Sequence, residues 1–303
     1  MPPHSDSHPN FPSTAPAAAS VLAAGCAQQP AIGRRDLLLA AALLPLVRLA
    51  QAQPRFDHAH AAWDALLKRH VRLIADGNAS QVDYRGFQSD RAALGRYLET
   101  LSAVTPAQYA AWSKAQQYAF LANAYNAFTV EKVLTRYPDL KSIRDFGRVI
   151  GNPWRDEFFV LLGARRSLDW IEHETMRAPG AFDDPRVHVA VNCASIGCPM
   201  LGRDAFVAER LDAQLDDLLR RFMSDRSRNR YDPRTQAVAL SQIFDWYRKD
   251  FEQCHRGFAG LHDLVAKYAG QLADDAGDRA RLRGTTVTIR FIEYDWRLND
   301  VPR

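Results

Sequence analysis

Apolar residues recur at helical spacing from Ala59 to Ala75, through Trp63, Leu66, Leu67, Val71 and Ile74, and Asp76-Gly77-Asn78 ends the run. Val82-Asp83-Tyr84 reads as a short extended piece, followed by a helix from Asp90 to about Leu101. Thr105-Pro106, an N-cap with proline at the first turn, opens another helix. A long helix is then expected from Lys114 to Arg136, stopped at Tyr137-Pro138, with Phe120, Ala124, Phe128 and Leu134 as its buried face. Phe158–Leu162 is a compact apolar strand, and Ser167 caps a helix carrying Ile171, Glu172, His173 and Met176. An amphipathic helix spans Asp204–Phe222 with Leu211, Leu215, Leu218, Leu219 and Phe222 inward. Val238-Ala239-Leu240 is a strand, Ser241 caps a helix through Phe251, helical spacing resumes from Leu261 to Tyr268, and Val287–Phe291 is a late strand. This order, helices first and then strands separated by helices, predicts an α+β fold whose helix-rich N-terminal half packs on a small, mainly antiparallel sheet.

The densest chemistry lies in Asp183–Pro199. Val187, Val189 and Val191 alternate with His188, Ala190 and Asn192, which reads as a strand running into a turn at Gly197 and Pro199. On a continuous strand the odd offset between His188 and Cys193 points them to opposite faces, so a pairing requires a turn at Cys193 or the use of His173 instead. In the long helix, Asn123 and Asn126 lie three apart on one face, where asparagine is a poor helix former. They either hydrogen-bond a loop crossing the helix or help line a polar cleft.

Residues 1–52 read as an address rather than as structure. Arg34-Arg35 precede an uncharged run from Leu37 to Val47, and Ala50-Gln51-Ala52 offers a signal-peptidase site, a pattern resembling a twin-arginine export signal. Leu22–Cys26 is a competing lipoprotein box without a basic residue upstream. The apolar run, about eleven residues, falls short of the ~20 that span a bilayer. The expectation is a protein exported to the bacterial periplasm, cleaved after Ala52, with 53–303 as a single domain and no membrane span after signal removal. With 47% hydrophobic residues, the chain has ample material for one core. Its formal charge of +4, evenly spread, argues against a nucleic-acid partner and names no other. No cofactor is indicated. Cys193, Cys198 and Cys254 follow the address, an odd count that leaves at least one thiol unpaired in a monomer.

Six pieces of the chain resemble the DUF547 family, named for an unknown function and found in bacteria, plants and animals. They are Asn123-Ala124-Tyr125-Asn126-Ala127, Ser142-Ile143-Arg144-Asp145, Ile171-Glu172-His173, Asp184-Pro185-Arg186-Val187-His188, Cys193-Ala194-Ser195-Ile196-Gly197-Cys198-Pro199 and Tyr294-Asp295-Trp296-Arg297-Leu298-Asn299. The resemblance implies no settled reaction, and at most a distant relation to papain-like or transglutaminase-like thiol enzymes.

Three readings of the cysteines stay open. In the first, a thiol-dependent hydrolase or acyltransferase, Cys193 or Cys198 attacks a carbonyl, His188 or His173 is the base, Glu172 or Asn123 orients it, and the amides of the Ser195–Cys198 turn hold the oxyanion. In the second, Cys193 and Cys198 form a disulfide or reversible dithiol in a non-catalytic binding or scaffold domain. In the third they bind metal together with His188 and His173. Asp184-Pro185-Arg186 and Asp295 read as fold-holding ion pairs, and Cys254 as incidental.

Overall fold

A computed structural model of the chain describes residues 55–147, 152–284 and 286–302; the expected export signal and its cleavage site lie outside the described residues. The chain divides into Met1–Gln53 and Pro54–Arg303. Within the second unit, α1 (Ala61–His70) runs directly into β1 (Val71–Ile74), which pairs antiparallel with β2 (Ala79–Val82). The helical spacing of Val71 and Ile74 is therefore misleading: β-branched residues there turn the chain into a hairpin instead of a further helical turn. Tyr84 begins α2 (Tyr84–Ser89) rather than extending a strand, because the Asp83 carboxylate accepts from the Gly86 N–H and caps the helix.

Next come α3 (Arg91–Ser102), α4 (Pro106–Ala110) and α5 (Lys114–Leu134). Thr105 and Ser113 each close a capping box, with Gln108 and Gln116 respectively. The expected buried face of α5 is too narrow: every residue from Tyr118 to Val130 is buried, so the helix is the axis around which the rest packs. Its asparagines bond crossing segments in both directions. Asn123 donates to the Phe206 carbonyl at 2.8 Å and accepts from the Phe206 N–H at 3.0 Å; Asn126 donates to the Ala190 carbonyl and accepts from the Asn192 N–H, both at 2.8 Å.

The hairpin of β3 (Phe159–Leu161) and β4 (Ala164–Arg166) leads to a π-helix at Trp170–Met176, whose wide turn is closed by the Arg177 N–H on the Glu172 carbonyl and whose start is capped by Ser167. The valine-rich stretch is not a strand. Val187–Ala190 forms the short helix α6, and only at Val191 does the backbone become extended. Period-2 apolarity misreads this segment because both of its sides are buried, so alternation carries no directional information. Arg186 anchors it, held by Asp184, Asp212 and Asp216.

Helix α7 (Leu211–Ser224) buries the five apolar residues expected of it. The largest sheet then orders β5 (Arg230–Asp232), β6 (Ala237–Ser241) and β7 (Thr288–Ile292), antiparallel in the first pairing and parallel in the second. Between β6 and β7 lie α8 (Ile243–Trp246), a short 3-10 turn at Arg248–Phe251, α9 (Leu261–Lys267), α10 (Ala269–Leu272) and α11 (Ala276–Gly284). The fold is α+β with small, mainly antiparallel sheets, and no helix among the described residues is long and apolar enough to cross a membrane.

Candidate active site

The loop after α6 is fixed before its chemistry is considered. The Asn192 side chain donates to the Pro199 carbonyl at 2.7 Å and accepts from the Ala194 N–H at 2.9 Å, which clamps the two ends of the loop. The C-terminal ribbon lies along its outer edge: Ile196 N–H donates to the Arg297 carbonyl, Gly197 N–H to the Asp295 carbonyl, and Asn299 N–H to the Ala194 carbonyl. Ala194 is held at φ 63°, a left-handed conformation that costs an L-residue roughly 1–2 kcal/mol and accumulates at functional sites. Gly197 allows the close approach, since a Cβ there would meet the Tyr294 ring and the Asp295 nitrogen at 2.9 Å.

This frame brings the two thiols and the Tyr294 hydroxyl together. The Tyr294 hydroxyl lies 3.0 Å from Cys193 Sγ, and the Cys193 N–H donates to Cys198 Sγ at 3.2 Å. The Ser195 hydroxyl is buried without a hydrogen-bond partner. Hydrogen bonding from Cys198 is the largest influence on the Cys193 thiol; burial opposes it, and Tyr294 together with the side chain and backbone of Ser195 adds to it, so the thiol is lowered to about 7. Cys198 moves the opposite way, pushed well up by burial and by its neighbour. Tyr294, raised by burial and by the adjacent thiols, stays protonated and remains a donor. Cys193 is half-buried, Cys198 is buried and Cys254 is exposed; all three are free thiols.

The histidines belong to a second polar cluster. His188 is buried, stacks on Tyr247 with ring centroids 3.8 Å apart, and puts Nε2 2.7 Å from Asp250 Oδ2 and Nδ1 3.8 Å from Glu172 Oε1. Burial lowers its pKa against the pull of these carboxylates. Arg177 grips both oxygens of Asp250, at 2.7 and 3.1 Å, donates to His173 Nδ1, and lies over Tyr247. Burial works to raise Asp250, but the hydrogen bonds from His188 and Arg177 hold it well below the usual carboxylate range. His173 Nε2 sits 4.0 Å from Glu172 Oε1 and 3.6 Å from Asp169.

The structure therefore brings Cys193 and Cys198 together, and separately brings Glu172, His173 and His188 together. Tyr247 connects the two groups: it packs, as Cys193 does, against the buried cluster of Cys198, Ile243 and Tyr294, and it also covers His188. Among the described residues no hydrogen bond joins a cysteine to a histidine, and Asn123 reaches Phe206 rather than either group. The turn amides considered for an oxyanion are largely committed, Ile196 and Gly197 to the ribbon and Cys198 to the Ser195 carbonyl. Among the described residues, no group of three or more His, Cys, Asp or Glu side chains is arranged to hold a metal ion. Tyr294, Tyr247, Asp250 and Arg177 escaped the sequence reading. Only Tyr294 stood in a recognised piece of sequence, where the neighbouring Asp295 drew attention; that carboxylate pairs with Arg297 two residues on.

The family model described as "Protein of unknown function, DUF547" matches residues 109–223. Residues 109–223 are similar to that family. The match takes in α5, the π-helix and the cysteine loop, whereas Tyr247, Asp250 and Tyr294 lie beyond it. No curated protein and no solved structure matches the chain.

Proposed function

We propose that the protein is a thiol-dependent hydrolase or acyltransferase with Cys193 as its nucleophile. The observation that carries this reading is the half-buried Cys193 sulfur, 3.0 Å from the Tyr294 hydroxyl and lowered to about 7, so that much of it is thiolate near neutral pH without a neighbouring base. The sulfur attacks an acyl carbonyl, the C–S bond forms, and the carbonyl electrons move to oxygen, where the Tyr294 hydroxyl and the Ser195 donors stabilise them. Collapse expels an amine or alcohol that takes its proton from solvent, and water or an acceptor amine then cleaves the thioester. The histidine cluster enters through Tyr247, which it holds in place against the buried cluster of Cys198, Ile243 and Tyr294.

The test is intact mass after incubation with an activated ester such as p-nitrophenyl acetate, for wild type and Cys193→Ser. One acetyl group on wild type, removed by hydroxylamine and absent from the variant, is expected. Equal slow hydrolysis by both, with no adduct, overturns the reading and leaves a binding or scaffold domain. We also propose, from the sequence alone, that residues 1–52 direct export to the periplasm. N-terminal sequencing of the periplasmic fraction should begin at Gln53, and Arg34→Lys/Arg35→Lys should abolish it; uncleaved protein confined to the cytoplasm overturns that assignment.

A further inference from the structure

A groove of about 830 Å³, within the range of small-molecule sites, opens along the C-terminal ribbon; the thiol does not line it but is reached from its wall through Tyr294. Its walls include Trp154 and Trp296, whose rings meet at 63° with centroids 6.0 Å apart. The ribbon ties the groove to the chemistry: the Trp296 ring lies 4.5 Å from that of Tyr294, whose hydroxyl touches Cys193 Sγ. The Leu298 N–H donates to the Lys141 carbonyl, which places the segment carrying Lys141 and Arg144 along the same ribbon.

The lining is unbalanced in charge. Arg297 is matched by Asp295, and the Asp145 carboxylate accepts from the backbone N–H groups of Lys141 and Ser142 while keeping its charge, which leaves Lys141 and Arg144 against one acidic group. Lys141 and Arg144 are both exposed, and the Arg144 guanidinium lies 5.0 Å over the Trp296 ring. The surface thus presents two cations next to two aromatic faces. Such a surface suits carboxylates, which arginine receives through its planar fork, and flat peptide groups, which stack on indole rings.

We infer that this groove binds an acidic peptide segment, with carboxylates at Lys141 and Arg144 and peptide planes against Trp154 and Trp296. The assignment rests on the thiol-enzyme reading for its choice of a peptide, since an amide supplies the carbonyl that Cys193 would attack; the groove itself does not depend on turnover.

The experiment uses the full chain carrying Cys193→Ala, so that no chemistry intrudes on binding. Fluorescein-labelled octapeptides rich in glutamate, in lysine, or in serine and glycine are titrated by anisotropy, with an oligogalacturonate of similar charge as competitor. The glutamate peptide is expected to bind at least tenfold tighter than the others. It should weaken at least tenfold on adding Arg144→Glu, a change at an exposed residue, and several-fold between low and physiological salt. Trp296→Ala should weaken it as well, while Arg144→Lys retains most of the affinity. Equal affinity for all three peptides, no binding, or preferential binding of the oligogalacturonate overturns the inference. Failure of the two readings separates cleanly. Peptide binding by Cys193→Ala with no acetyl-enzyme in the wild type keeps the groove and removes the enzyme; an acetyl-enzyme without peptide binding does the reverse.

Discussion

Replacing Tyr294 by phenylalanine removes one hydroxyl, 3.0 Å from Cys193 Sγ, while the ring that packs on Trp246 and Trp296 is kept. A hydrogen bond to a charged acceptor contributes about 1.5–3 kcal/mol. Since about 1.36 kcal/mol corresponds to one pH unit of midpoint, the thiol should titrate roughly one to two units above its present value. The assay is the rate of iodoacetamide labelling of Cys193 against pH, followed by peptide mapping. At pH 7 the thiolate fraction falls from about half to between roughly a tenth and a hundredth, but a thiolate of higher pKa is intrinsically the better nucleophile, which offsets part of the loss. The midpoint rather than the single-pH rate is therefore the quantity to read. Linkage gives a second readout. Because folding depresses the Cys193 pKa from 9.0 to about 7, its stabilisation is fully present above pH 9 and is lost as pH falls through 7. The variant should lose about 1.5–3 kcal/mol more at pH 9.5 than at pH 6 in urea denaturation. A midpoint that stays at about 7 in a folded variant would refute the idea that Tyr294 holds the thiolate.

Cys198→Ala removes the strongest influence on Cys193 and should raise the same labelling midpoint at least as far as Tyr294→Phe does. Asn126→Ala leaves the Ala190 carbonyl and Asn192 N–H buried and unpaired, at about 1–3 kcal/mol each, so urea denaturation should show a loss of roughly 2–6 kcal/mol. Asp250→Asn tests the histidine cluster: the Asp250 carboxylate is held low, so its contribution is present above the ordinary carboxylate pKa and disappears as pH falls well below 4. The stability gap between wild type and this variant, measured by thermal melts across pH 7 to 3, should narrow toward the acid end.

The parts of the fold that were legible in sequence are those decided locally. The Thr105 cap and the amphipathic stripe of α7 need only neighbours three or four residues away. The roles of Asn123 and Asn126 were legible for a related reason: an amide inside a helix must find a partner, and a crossing backbone is the commonest one. What misled was apolarity without a solvent side. Val187, Val189 and Val191 alternate with His188, Ala190 and Asn192, and all six are buried, so the pattern that marks a half-exposed strand was filled by a short helix.

The thiol site shows the same limit more sharply. The sequence left His188 and His173 open as partners of Cys193, but the His188 imidazole is taken by Asp250 and capped by Tyr247, and His173 is engaged by Arg177. The group that touches the sulfur comes from Tyr294, 101 residues away. It arrives there because the ribbon from Asp295 to Asn299 hydrogen-bonds along the cysteine loop, and because Gly197 has no side chain to keep the tyrosine ring off. Neither condition has a periodicity or a spacing that marks it. The consequence is chemical as well as topological: a thiolate supported by neutral donors keeps its low pKa whether or not the histidines carry charge, and a thiolate paired with an imidazolium would not.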